Sequence, residues 1–364
     1  MSAISDEPEK LKFIHTYAVG LHTQEPDYDV YDPRWQQRQI DNFVEFAGLA
    51  EELGYDGLTV TEHHAPSMVC PSPNMLLAAA AVKTSSIRLG TAVTVVPLHR
   101  PIRAAEEAGT LDLLSNGRFE LGIGRGTPRE WAAQTGRDLP PDEGRRAWLE
   151  AAELIWLLLT ERDVTYDGEF YSVDTPTTIA TRPLQEPLPV WVGGTSDETM
   201  KMAARYGWNV MRNSGSNDQH AAAVKTYIAE GIAHGHSLSG ANVMIERFVA
   251  IGETRAEIKE RLDRFAGALG RFRGQYEKNG RKLSQTDGEV AMSKQDNALP
   301  ELAIMGTPDE IIENLQGIID ETGTRRLLIE CFSDEESRLF AQEVMPVLRE
   351  RNSATTVAPT GVPA

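Results

Sequence analysis

Short apolar runs alternate with longer stretches of helical period along most of this chain. Lys12 to Val19 reads as a strand, and the polar, aromatic segment His22 to Trp35 as a long loop. Phe43, Phe46, Ala47, Ala50 and Leu53 recur at helical spacing until Gly54 stops the helix. Gly57 to Thr61 is a second strand leading into Glu62-His63-His64, and a helix runs from Pro73 to Thr84. Ile87 to Val96 is β-branched and apolar, as expected of a strand buried on both faces. A helix from Ile102 to Leu114 follows. Ser115-Asn116-Gly117 closes it, because Asn and Gly tolerate the left-handed backbone of a helix C-terminus.

Arg118 to Ile123 alternates as a short strand and ends in Gly124-Arg125-Gly126. Ala147 to Leu159 is helical, and Val164 to Tyr171 reads as a hairpin turning at Asp167-Gly168. Pro189 to Val192 is a strand stopping at Gly193-Gly194-Thr195-Ser196, before a helix from Asp197 to Tyr206. Three more strand–helix pairs follow: Trp208–Met211 with Ala221–Ala233, Asn242–Ile251 with Arg255–Leu269, and Arg326–Cys331 with Glu335–Leu348. Between the last two lie the polar segment Gly270 to Asn297 and a helix opened by Thr307-Pro308. About eight strands alternating with helices predict an α/β fold, an eight-stranded parallel βα (TIM) barrel with insertions. It is expected as one domain over 11–350, with flexible termini at 1–10 and 351–364.

A chain of 364 residues, 41% hydrophobic and 25% charged, supports a core of that size. The net charge of −18 opposes nucleic acid and anionic membrane as partners. With two cysteines and no apolar leader over Met1 to Lys10, a reducing, cytoplasmic location is expected.

Chemistry in such a barrel sits at the C-terminal strand ends. Those ends are Glu62-His63-His64, Pro97–Arg100, Gly124-Arg125-Gly126, Gly193–Ser196, Met211–Ser214 and Cys331-Phe332. Gly124-Arg125-Gly126 suits an anion, since small residues free backbone N–H groups and a guanidinium donates in pairs. A plain strand-to-helix turn fits the same residues. A dinucleotide-binding turn fits less well, because Thr127-Pro128 breaks the helix it requires. Gly193 to Ser196 with Thr199 is a second anion candidate at a helix N-terminus, although simple capping by Ser196 fits the same residues. If the barrel closes in this order, the fourth and fifth strands adjoin, and one phosphate between Arg125 and Ser196/Thr199 accounts for both. Of His63 and His64, alternation lets only one face the pocket, as an acid–base group or as a structural histidine. The other strand ends offer no His or carboxylate set, so no metal is expected.

Several of these motifs, in order, resemble the bacterial luciferase-like, flavin-dependent monooxygenases. They are Glu62-His63-His64, Leu89–Val93 with Pro97, Leu111-Asp112, Ser115–Gly126, Pro189–Thr199 and Gly306–Glu310. The likeness runs from about Phe13 to Arg349. It implies that Arg125, Ser196 and Thr199 hold the FMN phosphate with amides around Gly194 and Thr195. Glu62, Gly124, Gly126 and Gly193 would belong to the same cofactor site. Ala92-Val93 falls where the family often has a non-proline cis peptide under the flavin ring, His63 aligns with a catalytic histidine, and Gly270–Asn297 takes the place of a lid. Gly124 stands where bacterial luciferase has a cysteine. The implied activity uses reduced FMN and O₂ on a small organic substrate, an aldehyde being one candidate, with reduced flavin from a separate flavin reductase. A homodimer, or a heterodimer with a related chain, is implied as well. Two alternatives are deazaflavin-dependent hydride transfer on the same barrel and a non-catalytic partner subunit.

Overall fold

The structure is a computed structural model that describes residues 10–22, 28–126, 131, 134, 136, 140–213, 215–277 and 303–353. The first half of the chain runs β1 (Lys12–Tyr17), α1 (Pro33–Glu52), β2 (Gly57–Val60), α2 (Pro73–Lys83), β3 (Arg88–Thr91), β4 (Thr94–Val95), α3 (Pro101–Leu114), β5 (Phe119–Gly124) and α4 (Pro141–Thr160). Then come β6 (Val164–Asp167), β7 (Ser172–Thr177), β8 (Val190–Gly193), α5 (Asp197–Tyr206), β9 (Asn209–Arg212), α6 (Asn217–Ala233), β10 (Val243–Ile251) and α7 (Arg255–Glu277). The described chain finishes with β11 (Ala303–Gly306), α8 (Pro308–Thr322), β12 (Arg326–Glu330), α9 (Asp334–Leu339) and α10 (Met345–Arg351).

Eight parallel strands close in the order β1-β2-β3-β5-β8-β9-β10-β12, with β12 returning to β1. This is the expected barrel. Side chains alternate across each stave. One set points outward under the helices, as Phe13, Leu58, Leu121 and Ile329 do, and forms the main core. The other set fills the inside, where Ile14, Trp191, Met211, Met244 and Leu328 make a separate apolar layer. Both faces are therefore buried, which is why the strands read as nearly continuous apolar runs. At the N-terminal mouth the Trp191 Nε1 donates to Glu120 at 2.6 Å, and Arg88 pairs with the same carboxylate. Among the described residues no helix is long and apolar enough to cross a membrane.

The departures from expectation have local causes. The run Ile87–Val96 is not one strand: it breaks at a cis Ala92-Val93 peptide into β3 and β4 and then turns over Val96–Leu98. The loop expected to reach Trp35 ends earlier, because the Asp32 carboxylate accepts from the N–H groups of Arg34 and Trp35 and opens α1 at Pro33. Likewise α4 begins at Pro141 rather than Ala147, and α7 reaches Glu277 rather than Leu269. The hairpin exists and turns from Gly168 as expected, but the turn extends through 168–171, held by the Glu150 carboxylate accepting three backbone N–H groups at 2.7–3.0 Å. The strand β11 was missed. It pairs with β10 from Phe248 to Ile251, outside the barrel ring. The helix α10 runs into the expected C-terminal tail, and Asn352 is buried, its Nδ2 donating to the Leu348 carbonyl at 2.8 Å. Residues 278–297 of the expected lid, residues 298–302 after it, and the terminal segments 1–9 and 354–364 lie outside the described residues.

The wall between β3 and β8 is unusually close. A Cβ at Gly122 would lie 1.8 Å from the Thr91 carbonyl oxygen, whereas one at Gly48 in α1 meets only the flexible end of Lys83 at 3.3 Å. Gly122→Ala is expected to destabilise the fold by about 1–3 kcal/mol through forced backbone movement. Gly48→Ala should be neutral or stabilising by up to ~1 kcal/mol, as a helix-interior glycine replacement. Thermal unfolding of the two variants beside the parent checks the contrast.

Candidate active site

The ends of β2, β3, β5 and β8 are consecutive on the C-terminal rim, so Glu62-His63, Ala92-Val93, Gly124–Gly126 and Gly193–Thr199 share one arc. Ile123 pairs with Val192 and Gly124 with Val95, so Arg125 follows the end of β5 on the stave next to the one that ends at Gly193. Val93 is wedged between two of these staves. A Cβ at Gly124 would lie 2.3 Å from Val93 Cγ2, and one at Gly193 2.7 Å from Val93 Cγ1. Gly126 has φ +65°, and its missing Cβ would meet Val95 at 2.3 Å. Ala92 and Val93 also pack on the interior apolar layer. The result is a flat apolar seat beside a glycine-lined rim.

Ser196 caps α5, its Oγ accepting from the Thr199 N–H at 3.2 Å and lying 3.0 Å from Thr199 Oγ1. Capping and anion binding need not exclude each other, since both hydroxyls stay at the positive end of the helix dipole. The Gly194 N–H is committed to the Met211 carbonyl at 3.0 Å and the Thr199 N–H to Ser196, which leaves the amides of Thr195 to Glu198 without a protein acceptor among the described residues. Gly194 is itself required by Thr199, whose Cγ2 would be 2.7 Å from a Cβ there. The Arg125 carbonyl accepts from Trp131 Nε1 at 2.6 Å, while its partly buried guanidinium meets no acceptor among the described residues. Asp197 and Glu198 occupy the first turn of α5, and Arg145 pairs with Glu198.

Behind this turn lies a cluster that sequence reasoning missed. Arg212 donates to the Thr195 carbonyl at 2.9 Å and approaches His220 Nδ1 at 3.2 Å. Arg247 approaches His220 Nε2 at 3.0 Å and donates to the Gly215 carbonyl at 3.2 Å. Burial, then the charges of Arg247 and Arg212, push the His220 imidazole down to about 3, so it stays neutral. Two buried guanidiniums thus draw the carbonyls of the β8–α5 and β9–α6 turns inward. The Met211–Ser214 strand end held part of this signal; His220 could be assigned to it only once α6 was packed.

Glu62 is buried at the end of β2 and fully engaged. Its carboxylate accepts from the Val95 N–H at 2.7 Å, His99 Nε2 at 2.9 Å and His64 Nε2 at 3.1 Å. Burial by itself would raise this carboxyl, but the hydrogen bonds from His64, His99 and Val95 outweigh it and hold the value below the usual range. Burial likewise opposes the charge on His99, and the Glu62 hydrogen bond and charge raise it nonetheless. His64 is therefore the histidine turned to Glu62. His63 is partly buried, and its N–H donates to the Cys70 carbonyl at 3.1 Å.

Two further groups escaped the sequence reading. Glu246 follows Met244 by two residues on β10, and Glu330 follows Leu328 by two on β12, so both share the inward face of that interior layer. Burial, only partly offset by Arg247, pushes Glu246 up to about 7. Burial and the charge of Glu246 push Glu330 well above the carboxylate range. Their signal was a carboxylate interrupting each of two apolar strands.

A barrel with this rim defines a class. The luciferase-like monooxygenase profile matches residues 16–326, and the chain belongs to that family of flavoprotein oxidoreductases. It is similar to 4-hydroxyprotoasukamycin monooxygenase of Streptomyces nodosus subsp. asukaensis, 30% identical over 83% of this chain and 85% of that one. An F420-dependent glucose-6-phosphate dehydrogenase of Kineococcus radiotolerans is 29% identical over 84% of this chain and 92% of its own. Among solved structures, monooxygenase RslO1 from Streptomyces bottropensis superposes with a TM-score of 0.75 at 24% identity, covering 93% of this chain and 99% of that one.

The Glu62–His99 contact sets a pH window. Glu62 is depressed, so its contribution is present above the ordinary carboxylate range and lost as pH falls through the depressed value. His99 is raised, so its contribution is complete below about 6.5 and lost as pH rises through the raised value. Glu62→Gln is therefore expected to lower the melting temperature most between about pH 5 and 6.5. It should also return His99 toward an ordinary imidazole titration, read by NMR. An unchanged His99 titration refutes the pairing.

Proposed function

We propose that this protein is a monooxygenase that uses reduced FMN and O₂ to oxygenate a small organic substrate, aldehydes being among the candidates. One observation carries the reading: Arg125, with no protein acceptor among the described residues, lies on the stave next to the Ser196-capped turn. The residues fit the cofactor. Arg125, Ser196 and Thr199 would hold its phosphate with the Thr195 amide, while Gly124, Gly126, Gly193 and Gly194 keep the rim low enough for close approach. Ala92 and Val93 would seat the ring system. When bound, reduced FMN supplies the electrons that activate O₂.

In this reading His63 would hold and move a proton beside the bound cofactor. Glu62 acts one step back, holding Val95 and His99 so that the Val93 seat stays in register. The apolar layer beneath excludes water from the reacting face. A separate flavin reductase, a paired assembly of identical or related chains, and a cytoplasmic location belong to the same proposal. The F420-dependent relative supports a second reading, hydride transfer with a deazaflavin at the same rim. In that case turnover needs no oxygen.

Anaerobic titration with reduced FMN, followed by admission of oxygen, tests the choice. Saturable binding with oxygen consumption is expected; turnover only with reduced deazaflavin and no oxygen overturns it. Arg125→Ala should weaken FMN binding about ten- to hundredfold, since a charge-assisted hydrogen bond is worth ~1.5–3 kcal/mol. Riboflavin, lacking the phosphate, should bind both proteins alike. His63→Ala should lower turnover by about 10²-fold or more with FMN affinity nearly unchanged. Full activity in that variant removes the histidine from the mechanism.

A further inference from the structure

Two inward-facing carboxylates stand on the β10–β12 side of the mouth without a protein donor. Neither the Glu246 nor the Glu330 side chain receives a hydrogen bond or an ion pair among the described residues. The neighbouring Arg247 guanidinium turns instead to the Gly215, Asn213 and Glu246 backbone carbonyls. Glu330 is only 4% exposed. Met244 and Leu328 beneath them are sealed, while Glu246 and Phe248 keep partial exposure although they face inward, so an open recess begins just above that layer. Phe248 pairs in register with Glu330, and its ring lies 5.8 Å from that of Phe332. In the stave order β12 stands across the ring from β5, which carries Arg125 at its end. The carboxylates thus face the proposed phosphate turn from the far side of the mouth.

We propose that Glu246 and Glu330 recognise a positively charged nitrogen on the substrate, with Phe248 against its apolar body; this rests on the reading of the rim as the cofactor and substrate mouth. A buried carboxylate without donors is costly, and a cation delivered into a desolvated recess relieves that cost with a strong pairing. An anionic substrate is repelled from the same place. A neutral substrate gains no charge pairing there. The aromatic edge adds attraction for a quaternary or protonated amine. Two carboxylates on adjoining staves, with no third ligating side chain beside them among the described residues, suit an organic cation better than a metal ion.

Calorimetric titration of the full-length protein, with and without FMN, tests the assignment. The probes are benzyltrimethylammonium, benzyl alcohol and acetophenone. The ammonium ion is expected to bind one per chain at least tenfold more tightly than either neutral probe. The Glu246→Gln/Glu330→Gln protein should lose that preference at least tenfold while binding the neutral probes as the parent does. Glu330→Asp, which keeps the charge, should retain most of the preference and serves if the double variant melts early. Equal binding of neutral and cationic probes, no saturable heat with the ammonium ion, or a preference that survives both Gln substitutions overturns the proposal. FMN binding in the same samples is scored separately, so a failed cofactor reading and a failed cation preference are distinguishable.

Discussion

Everything at the mouth of this barrel depends on how closely the segment from Thr91 to Val95 lies against β5 and β8. The Thr91 carbonyl touches the space where Gly122 lacks a side chain, Val93 fills that of Gly124 and Gly193, and Val95 that of Gly126. The Thr91 hydroxyl donates to the Gly122 carbonyl at 2.7 Å and accepts its N–H at 3.0 Å. From the other side, Glu62 takes the Val95 N–H. The glycines of this rim therefore answer first to a neighbouring strand. Of Gly124-Arg125-Gly126, only Arg125 carries a side chain, and its guanidinium meets no acceptor among the described residues.

That division explains what could be read from sequence. Eight staves were legible because parallel strands covered on both faces stay apolar along their length, and helices between them keep a 3.6-residue period. Boundaries set by one side chain were not. Asp32 moves the start of α1, and Glu150 converts 169–171 from strand to turn. Ala303–Gly306 is too short to stand out beside a polar segment, and it becomes a strand only by pairing with the projecting end of β10.

The candidate site was partly legible for the same reason. Strand ends are local, so Glu62-His63, Gly124–Gly126 and Gly193–Thr199 announced themselves as polar or glycine-rich stops after apolar runs. Glu246 and Arg247 lie within β10, and Arg212 and Glu330 are the last residues of β9 and β12; alternation alone cannot tell which parity faces the interior until the ring has closed. In the closed ring adjacent residues of β10 part company. Glu246 joins the inner recess, and Arg247 goes outward to the turn beside α6.

The apolar layer of Ile14, Trp191, Met211, Met244 and Leu328 turns the barrel into a blind cup. With that end stoppered among the described residues, a ligand seated above the layer enters and leaves by the same C-terminal doorway. Under the proposed reading, a spent molecule still in place bars the arrival of the next, and turnover follows the order of departure.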